Sequence, residues 1–432
     1  MAARSFRPEL QGLRTIAVMA VVIYHLWPGR LTGGFVGVDV FFVISGYLIT
    51  SHIYREVERT SRISLLGFWA RRIRRLLPAA FMVLLVSLAA CYIWLPETLW
   101  ESTARQTASS ALYFQNWILA ADSVDYSATN ADATVAQHYW SLSVEEQFYV
   151  FWPILIIVLL AIVRATAKRR PDFNPSARMT LIVGLAVVGL LSLVYSLYET
   201  AVNPAAAYFV TPTRVWEFSA GSLVALIFID RRVKGRLGAV LVWVGLTAII
   251  SSSIAYSSTT PFPGYTALLP VAGTAAILAS DGLASASKPG WFLSSKPMTF
   301  VGDISYAVYL WHWPLIVLAP WILQNEPGLT AKVGILALSI VLAWLTKVLL
   351  EEPLRKGGLL RRNGVVYSFA AVGMILVTTL SFGLVAQTNE SSALSPAEAA
   401  SQCHGPGALE PKNHCESVVG DAPPVPSAVQ VS

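Results

Sequence analysis

Apolar runs close to bilayer length recur along the whole chain, and they leave few folds open. A helix needs about 20 mostly apolar residues to cross the hydrocarbon core. Eleven stretches approach that length: residues 8–27, 35–54, 76–95, 141–163, 179–198, 214–229, 237–256, 265–280, 298–323, 331–350 and 365–386. Lipid offers the backbone no hydrogen bonds, so only helices or a closed barrel can span it. The sequence lacks the short alternating segments of a barrel. An all-α, polytopic integral membrane bundle of about eleven transmembrane helices is therefore expected. Charged residues make up only 13% of the chain, against about 25% in soluble domains, so no aqueous fold could hide this much apolar surface.

The formal charge of +6 could point to nucleic acid, but the charges are placed otherwise. Lys and Arg cluster at Arg4/Arg7, 55–75, 168–170, 231–236, Lys288/Lys296 and 355–362, all on one side if the eleven spans hold. The opposite loops carry little more than Arg30, Arg105 and Lys412. That asymmetry predicts a cytoplasmic amino terminus and an extracytoplasmic carboxyl terminus. No cleavable signal peptide is expected, because residues 6–14 are polar and Arg14 interrupts the apolar start. Residues 109–120, with Tyr113, Phe114 and Trp117, read as one helix lying in the interface. A span there would reverse the sign of every later loop.

Three cysteines are present. Cys91 reads as a small core residue. Cys403 and Cys415 fall in the outer tail, an oxidising setting where a disulfide is expected, with free thiols or a minor zinc reading through His404 and His414 as alternatives. The tail is rich in Ser, Ala, Pro and Gly and reads as a linker toward a further domain.

Ionisable residues inside the apolar runs carry the chemistry. Arg14 and His25 share the first run; eleven helical steps place them within about 20° of one face and about 16 Å apart along the axis. Such residues are costly in lipid and usually face a functional cavity; a satisfied structural histidine is the plain alternative. Arg71, Arg72, Arg74 and Arg75 stand within five positions at the start of a span. Those at i,i+3 and i,i+4 are neighbours, and guanidinium forks suit phosphate oxygens. The plain alternative is a positive-inside anchor that meets anionic lipid. The string from His138 to Tyr149 places Glu145 and Glu146 about one turn into another span. One carboxylate there could orient an imidazole while the other pairs with an arginine. Asp39 is a buried acid with no local partner, and Arg214 and Glu217 read as an i,i+3 salt bridge. His312, between Trp311 and Trp313, reads as part of an interfacial aromatic belt, and His52 beside Arg55 and Glu56 as uninformative. Outside the tail the histidines are dispersed, and no metal constellation is expected.

These motifs carry a resemblance. FRPELQGLR, the Arg14–His25 spacing, GGFVGVDVFFVISGYLIT, FWARRIRRLLPA, YWSLSVEEQFY and YLWHWPL occur in that order, and residues 6–354 resemble the acyltransferase-3 family of membrane acyltransferases. The resemblance implies a ten-helix core plus one linking helix: an acyltransferase domain at 1–363, a further transmembrane helix at 364–387 and an extracytoplasmic linker or tail at 388–432. It implies a multi-pass protein of the bacterial cytoplasmic membrane that takes an acyl group from cytosolic acyl-CoA, generally acetyl-CoA, as co-substrate. The acceptor it implies is a hydroxyl of a surface polysaccharide, glycolipid or peptidoglycan. His25 matches the family's essential histidine, Arg14 its paired cation, and Arg71 and Arg74 its arginine pair. Arg72 and Arg75 have the same spacing, so the choice of pair stays open.

In that reading the donor's phosphates dock on Arg71, Arg74 and Arg14, and the thioester reaches His25. His25 acts as base or acyl carrier, with Glu146, in preference to Glu145, setting its tautomer. Asp39, Arg214, Glu217 and His312 are carried as candidate substrate-side residues. Relatives with a cysteine-bearing linker often continue into an SGNH hydrolase-like domain. GALEPKNHCE resembles that linker, yet no Gly-Asp-Ser block follows it here. The alternatives are a transporter of an acyl donor or other small anion, though no internal repeat is evident, and a sensor or scaffold. Thioester consumption separates the enzyme from both.

Overall fold

The computed structural model describes residues 7–124, 133–169, 176–281, 288–356, 358, 360 and 362–392. Cys403, Cys415 and the tail lie outside the described residues. The chain divides into two units, Met1–Leu384 and Val385–Ser432, and the helical bundle belongs to the first. Among the described residues the backbone is helical apart from turns and one isolated bridge between Val233 and Ser280. Numbered in chain order, the main helices begin with α1 (Pro8–Leu26), α2 (Gly37–Thr60), α3 (Leu65–Trp94), α4 (Trp100–Ala111) and α5 (Gln115–Asp122). Next come α6 (Tyr139–Arg169), α7 (Ala177–Val202), α8 (Val215–Ile227), α9 (Gly235–Ala255) and α10 (Leu268–Ala279). The series ends with α11 (Lys296–Asp303), α12 (Ser305–Leu323), α13 (Leu329–Thr346) and α14 (Asn363–Ser392).

Every expected span contains a helix, and eight of them are long and apolar enough to cross a bilayer. Two are shorter than the sequence reading: α8 has 13 residues and α10 has 12. At 1.5 Å per residue these reach about 20 Å, short of the roughly 30 Å core. A 3₁₀ turn containing Pro212 precedes α8, and a turn containing Pro263 precedes α10. The expected interfacial helix at 109–120 is instead two helices, α4 and α5. The chain breaks at Tyr113, where φ is +55°. The break has a polar cause: Gln147 on α6 donates to the Tyr113 carbonyl and to Asn116 Oδ1, each at 2.9 Å, and so draws the turn inward.

Burial sorts the helices. The apolar window of α2 is 89% buried, whereas those of α13 and α14 are 17% and 22% buried, so α2 is the central post and the later helices face lipid. Without a hydrophobic drive between helices in lipid, close approach rests on small residues. Gly46 on α2 and Gly221 on α8 supply it reciprocally. A Cβ at Gly46 would lie 2.0 Å from the Phe218 carbonyl oxygen, and one at Gly221 would lie 1.9 Å from that of Val43. Helix α1 packs against α2, α11 and α12, which brings its polar face to the middle of the bundle. Gly221→Ala is expected to cost at least about 1–3 kcal/mol through overpacking, read as a lower Tm in detergent. An unchanged Tm would mean that α2 and α8 do not meet backbone to backbone.

Candidate active site

His25 lies in the last turn of α1 and His312 in the middle of α12, and the fold stacks their rings. The centroids are 5.2 Å apart and the planes 8° from parallel, with His25 Nδ1 3.0 Å from His312 Nε2. His312 Nδ1 lies 2.6 Å from the Tyr309 carbonyl oxygen. A carbonyl only accepts, so His312 Nδ1 carries its hydrogen there. The neutral ring then has a lone pair at Nε2, and that lone pair accepts from His25 Nδ1–H. The remaining nitrogen of His25, Nε2, is left with a lone pair. This assignment rests on the hydrogen-bond network and fixes the ring that could take a proton or an acyl group. Trp313 meets His25 edge-on at 4.5 Å. His25, His138, Trp140, Tyr208 and Trp313 stand in the wall of a cavity of about 260 Å³.

Two expectations are corrected here. His312 is no interfacial belt residue: it is fully buried and orients His25. Glu146 does not stand behind His25, because the partner of the His25 ring is an imidazole. Glu146 instead stands in the wall of a separate, mainly apolar cavity with Trp69, Arg72, Tyr113 and Gln147.

A further cavity holds the guanidiniums. Arg14, Arg72 and Arg75 line it together with Ser45, Glu145 and Tyr149. Arg72 and Arg75 are i,i+3 neighbours on α3, and Arg72 packs over the rings of Phe68 and Tyr149 at 5.8 and 5.7 Å. Glu145 accepts hydrogen bonds from Ser45 Oγ and Tyr149 Oη. Arg71 and Arg74 point elsewhere. The Arg71 side chain is half exposed and lies 3.4 Å from Glu56. Arg74 donates to the carbonyls of Leu360 and Ala70 at 3.0 and 3.2 Å. The pair turned inward is thus Arg72/Arg75, and the rotation of α3 about its axis is the reason.

The arginine-lined and histidine-lined cavities adjoin. Val38 and Tyr309 stand in the wall of both. The Tyr309 hydroxyl donates to the His138 carbonyl at 3.0 Å and lies 2.6 Å from Ser141 Oγ.

Asp39, Arg214 and Glu217 come together but line none of these cavities. Arg214 Nη1 is 3.1 Å from both Asp39 Oδ1 and Glu217 Oε1, with all three side chains buried. Its other nitrogens donate to the Tyr208 carbonyl at 3.0 and 3.2 Å. Asp39 therefore has the partner that the sequence left unseen. The guanidinium also packs over Tyr208 at 5.0 Å and Trp140 at 5.7 Å. Both rings line the histidine cavity, so the cluster braces that wall from behind. Among the described residues no group of three metal-ligating side chains occurs.

Sequence reasoning passed over Tyr309, Trp313 and His138. Signals for all three were present: YLWHWPL contains the first two, and His138 opens the string that ends at Tyr149.

A family model for an acyltransferase domain matches residues 7–348, a stretch that holds every histidine and arginine lining these cavities. The chain belongs to this acyltransferase family. A peptidoglycan O-acetyltransferase OatA of Listeria monocytogenes is 33% identical over 376 residues, covering 82% of this chain and 57% of that protein. An O-acetyltransferase OatA of Staphylococcus aureus is 33% identical over 364 residues, covering 82% of this chain and 58% of its own length. The chain thus spans little more than half the length of these relatives. No solved structure gives a significant match.

In this acyltransferase-family chain, His312→Phe removes the acceptor for His25 Nδ1–H while keeping a ring in place. Acyl transfer is expected to fall about 100-fold, within the range for general acid–base groups, with Tm little changed. Transfer at the parent rate would rule out an orienting role for His312.

Proposed function

We propose that the chain is a membrane O-acetyltransferase of the bacterial cytoplasmic membrane. It moves an acetyl group from acetyl-CoA, bound on the cytoplasmic side, to a hydroxyl of peptidoglycan or a related surface glycan. The observation that carries this reading is the junction of two unlike cavities. Three guanidiniums line one, an imidazole with an available lone pair lines the other, and Val38 and Tyr309 stand between. Guanidinium forks match the phosphates of a nucleotide thioester. Arg72 and Arg75 in the wall of the arginine cavity belong to the positively charged stretch 55–75, and the charge asymmetry supports a cytoplasmic side for that stretch. Relatives bearing the name peptidoglycan O-acetyltransferase support the acceptor class.

The chemistry then runs through His25. Its Nε2 takes the proton of the acceptor hydroxyl as that oxygen attacks the thioester carbonyl. The new C–O bond forms, the C–S bond breaks, and the CoA thiolate recovers the proton from His25. The positive charge that develops on His25 is shared through Nδ1–H with His312. A covalent route would use the same lone pair, with Nε2 attacking the carbonyl first. In this reading Arg14, Arg72 and Arg75 hold the donor, and Glu145 keeps the guanidiniums in place.

Acetyl-CoA binding to the purified chain in detergent tests the donor site. The double change Arg72→Ala/Arg75→Ala is expected to weaken binding at least about tenfold, since each charge-assisted hydrogen bond contributes about 1.5–3 kcal/mol. Arg71→Ala/Arg74→Ala should weaken it less, and His25→Ala should spare binding while abolishing transfer. Loss of binding only in the Arg71/Arg74 variant would contradict the assignment. Failure of the unsubstituted chain to bind would favour a transporter or a different donor.

A further inference from the structure

We propose that Val38 and Tyr309 form a rigid neck that sets the size of acyl group the enzyme passes to His25. This rests on the donor reading, in which the thioester enters from the arginine cavity. It adds the residues that determine which acyl chains are accepted.

Position singles out these two side chains. They are the residues that the arginine and histidine cavities have in common, one on α2 and one on α12. Both are buried. Tyr309 lies three residues before His312, whose ring holds His25. A thioester moving from the guanidiniums toward His25 Nε2 meets this pair last.

Rigidity makes them selective. A wall that can swing aside selects little, because the protein yields to the larger substrate. Neither wall here is placed to swing. The Tyr309 hydroxyl is fixed by the His138 carbonyl at 3.0 Å and by Ser141 Oγ at 2.6 Å. The carbonyl of the same residue is engaged by His312 Nδ1, which ties its backbone to the ring that holds His25. On the other side, Val38 is followed by Asp39, which Arg214 holds at 3.1 Å in a fully buried pair. The reciprocal contact of Gly46 and Gly221 pins α2 further along. Extra methylenes in such a neck can be accommodated only by moving packed groups. The buried Asp39–Arg214–Glu217 cluster, which lines neither of the two cavities, thereby gains a role in holding the aperture.

A filter at this point acts after the donor's nucleotide has docked. It should therefore appear in turnover and not in binding. The purified full chain is assayed with acetyl-CoA and butyryl-CoA, measuring Kd for each and the rate at which free CoA thiol is released. The unsubstituted chain is expected to bind both within about threefold, yet to consume butyryl-CoA at least about tenfold more slowly, within the usual range for discrimination by a few methylenes. Val38→Ala is expected to shrink that butyryl-to-acetyl rate disadvantage severalfold, and Tyr309→Phe, which keeps the ring but frees it from His138 and Ser141, to shrink it less. Because the readout is a ratio within one protein sample, partial loss of folded material does not alter it. A ratio unchanged in both variants, with acetyl-CoA binding retained, overturns the neck alone. Equal rates for the two donors in the unsubstituted chain overturn it as well. Failure of the unsubstituted chain to bind or consume acetyl-CoA overturns the donor reading and the neck together.

Discussion

The carbonyl oxygen of Tyr309 can only accept a hydrogen bond, and the arrangement of the histidine cavity follows from that. His312 Nδ1 donates to it at 2.6 Å, which leaves His312 Nε2 to accept from His25 Nδ1. The lone pair on His25 Nε2 is the outcome. A carboxylate is the more familiar partner for such a histidine, yet a carboxylate buried in lipid carries a large desolvation cost. A neutral imidazole fixed by a backbone carbonyl does the orienting without adding a charge. The same residue, through its side chain, lines both cavities, so one residue of α12 fixes the tautomer of His25 and stands where the two cavities adjoin.

At the start of α2 and α8 the bundle buries one cation between two acids. Arg214 answers both Asp39 and Glu217, and its face is covered by Tyr208, Trp140 and Phe262. Breaking such a pair leaves an uncompensated charge and is far more damaging than the pair itself is stabilising. The cluster ties the start of α2 to the start of α8. These are also the helices that pack most closely through Gly46 and Gly221. Both ties fall on α2, the helix that carries Val38, whereas α13 and α14 are the least buried of the long apolar helices.

How far the sequence alone reached depends on the range of the interaction. The apolar runs gave away the helices, because lipid forces any such run into a helix; the shortness of α8 and α10 was hidden because flanking apolar residues outside the helices looked like more span. The Arg14–His25 relation was legible because both sit on one helix. The choice between Arg71/Arg74 and Arg72/Arg75 was not, since both pairs have one spacing and only the rotation of α3 against its neighbours separates them. The partner of His25 lies 287 residues away, beyond any spacing rule. Glu146 was preferred because carboxylates usually orient histidines, and Asp39 looked unpartnered because Arg214 lies 175 residues downstream.

That the two cavities form one path across the bilayer is tested most directly by separating donor and acceptor. The chain would be reconstituted in vesicles in a known orientation, with radiolabelled acetyl-CoA on one side only and a peptidoglycan-derived glycan on the other. Labelled glycan is expected when the donor is on the side of Arg14, Arg72 and Arg75 and the acceptor on the side of His25. Label that appears only when both substrates share one side, or only when the donor is given from the His25 side, would contradict a path in which the acetyl group passes Tyr309 between the two cavities.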